Sequence, residues 1–80
     1  MRLLVAIMKE DEASAVVDML MDREYRATRI NTAGGFFKRG NSTLLIGVED
    51  DQIDDVMNLI NTTADTTTVF VLNVLRHEKL

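Results

Sequence analysis

The sequence predicts an α+β sandwich: a four-stranded antiparallel sheet with two helices on one face, its elements running β-α-β-β-α-β. Three observations lead there. Apolar runs of strand length recur along the 80 residues, two stretches between them switch to a helical repeat, and glycines and acids fall at the changes of period.

Residues 3–8, Leu-Leu-Val-Ala-Ile-Met, form a continuous apolar run of strand length in which Val5 and Ile7 favour a pleated surface. From Asp11 the period changes. Ala13, Val16, Val17 and Leu20 lie at i, i+3, i+4, i+7, and Glu10, Asp11 and Glu12 sit where the helix dipole favours negative charge, so a helix is expected to about Arg23. Residues 26–32 alternate charged or hydroxylated with small or apolar side chains and read as a second strand ending in Ala33-Gly34-Gly35. Residues 34–42 make a glycine-bounded loop, and residues 43–48 a third strand. Asp50 or Asp51 is expected to cap a second helix carrying Ile53, Val56, Met57 and Ile60. The β-branched stretch 66–75 gives the fourth strand and 76–80 a polar tail.

This order has the ferredoxin-like split βαβ sandwich as its usual solution, here as a single domain over residues 1–80. The first, third and fourth strands are apolar on both alternating faces, as in Leu3, Val5 and Ile7 against Leu4, Ala6 and Met8. One helical layer buries only one face, so the other is expected to meet another subunit. A chain of this length buries roughly two thirds of its unfolded surface. With no cysteine to staple it, self-association is the natural supplement.

The formal net charge of -4 argues against a general nucleic-acid binder. The first apolar run is too short for a signal-peptide core or a membrane span, so a cytoplasmic location is expected. Charge is unevenly spread: Arg23, Arg26, Arg29, Lys38 and Arg39 face the single acid Glu24 in the middle of an acidic chain. That segment also holds Gly34, Gly35 and Gly40 beside the adjacent Phe36 and Phe37. Glycines let backbone amides approach a ligand, an exposed ring can stack on a base, and the cations can meet phosphate. The same residues also suit a hairpin whose phenylalanines pack between subunits, and composition leaves both readings open.

Other signals carry less. Glu49, Asp50, Asp51, Asp54 and Asp55 lack the alternating oxygen ligands of a calcium loop and read as a solvated helix start. His77 has no second histidine or cysteine to complete a zinc set. Ser14 and Ser42 have no histidine at a suggestive spacing, so no nucleophile with its base is visible. The threonines at 62, 63 and 66–68 read as a loop entering a strand.

The pattern R-A-T-x-x-x-T-x-G-G-F-x-x-x-G-N-x-T over residues 26–43, followed by L-x-G-V at 45–48 and the acid-led second helix, resembles the PII-like cyclic di-AMP receptor family of Gram-positive bacteria. The resemblance spans nearly the whole chain. It implies a homotrimeric signal transducer that is not an enzyme, carries no cofactor, binds cyclic di-AMP between neighbouring subunits and passes the signal to a downstream protein. Carried over by position, it implies that Arg26 and Thr28 lie at the cleft, that Ala27, Gly35 and Phe36 line the base, and that Phe37, Asn41 and Gly47 surround the phosphate-ribose ring. The chain departs from the family pattern in its short 61–66 connection, in Glu24 where asparagine is frequent, and in the tail Arg76-His77-Glu78-Lys79-Leu80. A PII-like sensor of another adenine nucleotide or small anion, and a ligand-free trimeric interaction module, stay open as alternatives.

Overall fold

The computed structural model of the chain describes residues 1–30, 40–64 and 66–79. Strand β1 (Arg2–Lys9) runs directly into helix α1 (Glu10–Asp22), and a tight turn leads to β2 (Ala27–Ile30). Strand β3 (Asn41–Val48) is followed by one 3-10 turn (Asp50–Gln52), helix α2 (Ile53–Thr63) and strand β4 (Thr68–Asn73). The strands form one sheet in the order β2-β3-β1-β4, every neighbouring pair antiparallel, which is the ferredoxin-like arrangement expected.

Register separates two faces. Leu4 lies opposite Ile46 and Ala6 opposite Leu44, and these side chains are fully buried beneath the helices. Val16 and Leu20 of α1 and Val56 and Ile60 of α2 close the core from above. Because side chains alternate along a strand, Leu3, Val5 and Ile7 point to the opposite face, with Leu45 of β3 and Phe70 and Leu72 of β4 beside them in the same register. Neither described helix covers this side, and Phe70 and Leu72 are 52% and 47% exposed.

Element boundaries differ from expectation where hydrogen bonding decides them. The third strand starts at Asn41, not at residue 43, because Gly40 turns the chain at φ 89 and Asn41 and Ser42 then continue the ladder opposite Lys9 and Met8. The fourth strand is shorter than 66–75. It ends at Asn73 because its partner β1 ends at Arg2, leaving Val74 only a bond from its N–H to the Met1 carbonyl (3.2 Å). The second strand joins the ladder at Ala27, after Arg26. Its expected continuation and the glycine loop lie outside the described residues.

The second helix is not opened by Asp50 or Asp51. Glu49 and Gln52 form a reciprocal capping box, in which the Glu49 N–H donates to Oε1 of Gln52 (2.9 Å). Arg2 ties this turn to the sheet, since its Nε pairs with Asp50 Oδ1 (3.0 Å) and its Nη1 with the side-chain oxygen of Asn73. An exposed pair of this kind contributes about 0–1 kcal/mol.

Candidate functional site

The site grows from the end of α1. Arg23 caps the helix, the Glu24 N–H donates to the Met21 carbonyl (2.9 Å) and the Tyr25 N–H reaches back to the Leu20 carbonyl (2.8 Å). These are the two crossed bonds of a Schellman motif, whose left-handed position is usually glycine. Here Glu24 occupies it at φ 64. The motif turns Tyr25 inward to pack against the core and leaves Arg26 exposed.

Asp55 of α2 locks this turn. Its Oδ2 accepts a hydrogen bond from the Tyr25 hydroxyl (2.7 Å) and its Oδ1 accepts one from Arg23 Nη2 (2.9 Å). The bond to Asp55, assisted by desolvation, raises the Tyr25 phenol above its ordinary pKa of 10.0, because ionisation would set two negative oxygens against each other.

Beyond the clamp, an open cleft of about 590 Å³ runs along the outer edge of β2, lined by Met21, Glu24, Tyr25, Arg26, Ala27 and Thr28. Three of the expected ligand residues therefore share one concave surface. Ala27, opposite Ile46, packs toward the core, whereas Thr28, opposite Leu45, projects from the open face. Extending that register by one residue sets Arg26 beside Gly47, on the same open side. A side chain at Gly47 would meet only the end of Met1, at 3.7 Å, so crowding within the chain does not require glycine there.

Asn41 is not part of this group. It begins β3 opposite Lys9, six residues from Gly47, which at strand rise places it about 20 Å away. Gly35, Phe36 and Phe37 lie outside the described residues.

The arginines of the basic segment separate by role. Arg29, opposite Leu44, points to the helix side, where its Nη1 donates to Ser14 Oγ (2.9 Å) and its Nη2 to the Glu10 carbonyl (3.1 Å) and Ser42 Oγ (3.3 Å). It stitches β2 and β3 to the start of α1. Arg23 is bound to Asp55. Arg26 makes no hydrogen bond or ion pair with any described residue, and a guanidinium in that position is available to an external anion. The clamp of Arg23, Tyr25 and Asp55 escaped sequence reasoning because its members are about thirty residues apart and only α2 brings the carboxylate back.

The chain matches the family model described as cyclic-di-AMP receptor over residues 1–79. The chain belongs to that family. It is 35% identical, over an alignment of 79 positions covering 82% of this chain and 75% of the relative, to the nitrogen fixation nifHD region GlnB-like protein 1 of Methanothermococcus thermolithotrophicus. A functionally unknown protein from Pediococcus pentosaceus superposes with a TM-score of 0.86 at 28% identity, covering 99% of this chain and 96% of the other. A DUF3240 family protein from Shewanella baltica shares the fold, with a TM-score of 0.78 at 16% identity and coverage of 99% and 94%. The receptor family and the GlnB-like relative together establish this as a PII-like protein of the signal-transducing class. Among the described residues, no helix is long and apolar enough to cross a membrane.

Proposed function

We propose that this protein is a cytoplasmic, non-catalytic receptor that works as a homotrimer and binds cyclic di-AMP between neighbouring subunits. The observation that carries this reading is Arg26, a cation with no partner among the described residues, set beside Thr28 and Gly47 on the rim of an open cleft. A phosphodiester offers such a guanidinium a charge-assisted hydrogen bond. The absence of internal crowding at Gly47 supports an approach from outside the chain. The 20 Å between Asn41 and Gly47 supports a shared site, with Asn41 acting from a second copy or at the far end of the ligand. The open sheet face of Leu3, Val5, Ile7, Leu45, Phe70 and Leu72 supplies the apolar surface for assembly. Phe36, Phe37 and Gly35 are assigned to the base and the ring of the nucleotide by family resemblance. Ligand binding orders the loops around the cleft and alters a surface read by a downstream protein.

One observation favours a second reading. Glu24 lines the same cleft, and a carboxylate there opposes a phosphate but accepts a hydrogen bond from the exocyclic amine of an adenine. That reading is a PII-like sensor of another adenine nucleotide.

Isothermal titration with cyclic di-AMP, with cyclic di-GMP and ATP as competitors, tests both. Selective binding near one nucleotide per subunit, weakened about 10- to 100-fold by Arg26→Ala, is the expected result. Preference for ATP moves the assignment to the second reading. Arg26→Ala with every affinity unchanged overturns the site.

A further inference from the structure

The cleft on β2 owes its shape to a turn that its own residues do not fully hold. Arg26 follows directly on Arg23, Glu24 and Tyr25, and Glu24 stands at φ 64, in the left-handed region that a glutamate enters only when its surroundings impose it. The two crossed backbone bonds of the Schellman motif impose part of this. The rest comes from elsewhere in the chain. Asp55 of α2, thirty residues beyond Tyr25, accepts the Tyr25 hydroxyl on one oxygen (2.7 Å) and Arg23 Nη2 on the other (2.9 Å). A single carboxylate thus grips both neighbours of the strained residue.

Asp55 itself lies outside the cleft, whose lining falls between Met21 and Thr28. It therefore acts on a ligand held there only through the turn. The two halves of its grip differ in strength. The Arg23 and Asp55 side chains keep 55% and 39% of their surface in water, where solvent and salt reduce an ion pair to a small contribution. The bond from Tyr25 is partly buried and its ring packs against the core, so the phenol is the fixed point from which the chain leaves toward Arg26. Arg26 is long and has no partner among the described residues, so the backbone beneath it sets where its guanidinium can meet a phosphate. A loose turn would leave that ordering to the moment of binding, at the expense of affinity.

We infer that Asp55 is a positioning residue for nucleotide binding: through Tyr25 it fixes the turn at Glu24, and with it the direction in which Arg26 meets the phosphate. This inference rests on the receptor reading above and adds to it a determinant that touches no ligand. It gives helix α2 a part in the affinity of a site built on β2.

Charge and positioning predict opposite signs for Asp55→Asn. The substitution removes a negative charge near an anion site and frees Arg23, so charge alone would tighten an anionic ligand. Positioning requires the reverse. With cyclic di-AMP as the probe in isothermal titration, Asp55→Asn is expected to weaken binding about tenfold while the helical circular dichroism and the oligomer are kept. Tyr25→Phe changes no charge at neutral pH and is expected to weaken it by a similar factor. Because Asp55 works through Tyr25, the paired change should bind no more weakly than Asp55→Asn alone.

Glu24→Gly supplies the rescue. Glycine takes the left-handed conformation readily, so the turn closes with or without the clamp. Whatever loss of the Glu24 carboxylate does to the ligand, it does in both backgrounds, whereas relief of the backbone matters most where the clamp is missing. Glu24→Gly should therefore improve binding by the Asp55→Asn protein about five- to tenfold more than binding by the unaltered one.

An Asp55→Asn protein that binds as tightly as the unaltered chain, or more tightly, overturns the inference and leaves the receptor reading standing. So does an equal effect of Glu24→Gly in both backgrounds, which would assign the loss to a general loosening of the fold. An unaltered protein that binds no nucleotide overturns the receptor reading, and this inference falls with it.

Discussion

Leu3 and Leu4 are adjacent and chemically identical, yet they sit in opposite circumstances. Leu4 is fully buried beneath two helices, whereas Leu3 belongs to a face that no described helix covers, alongside Phe70 and Leu72 with about half their surface in water. On the covered face the apolar residues fix the fold of one chain. On the open face equally apolar residues of β4 stay half exposed, the surface that the proposed assembly would complete. Arg29 on β2 and Arg26 just before it repeat the contrast, one spent on internal bonds and the other without a partner among the described residues.

The largest expected effect falls on the covered face. Leu20→Ala leaves a cavity between α1 and the sheet and should destabilise the protein by about 2–5 kcal/mol, read as a lower midpoint in urea. Phe70→Glu probes the other face. It should abolish association in light scattering while the circular dichroism of the separated chain keeps its helical signal. Unfolding of that chain would erase the distinction between the two faces.

Smaller effects concern the clamp of Arg23, Tyr25 and Asp55. Tyr25→Phe removes one hydrogen bond to Asp55 and should lower the midpoint in urea slightly near neutrality. The sign of its pH dependence follows from the raised phenol. A folded-state pKa above the unfolded value gives stability that is fully present below about pH 10 and lost as pH rises through the folded value. Urea titrations between pH 8 and 11 should therefore show an alkaline loss that Tyr25→Phe lacks, and equal slopes for both proteins would refute the coupling. Least of all, Glu24→Gly relieves a left-handed backbone and should stabilise by up to about 1 kcal/mol. Because it also removes a carboxylate from the cleft, it should tighten an anionic ligand, and a weaker dinucleotide would show that Glu24 contributes to binding.

Much of this was legible in the sequence. The repeat of Ala13, Val16 and Leu20 and the alternation in residues 3–8 gave both helices and strands their places, because burial on one side imposes a period on the chain. Arg26, Ala27 and Thr28 were found together, since three consecutive residues stay together in any fold. What escaped depended on distance or on a broken rule. The Schellman turn was hidden because Glu24 stands where glycine usually marks it, and the capping box because Asp50 and Asp51 offered the more familiar signal. Asn41 and Gly47 share one motif in the sequence, but an extended strand sets them at its two ends.

In the proposed trimer, the open sheet face makes stability a matter of mass action. A chain whose second apolar face is finished only by further copies has a melting temperature that climbs with its own concentration, and a ligand wedged between copies moves that temperature in the same direction. In such an assembly dilution and loss of ligand act on one equilibrium, so the amount of the protein would set how firmly it holds its ligand.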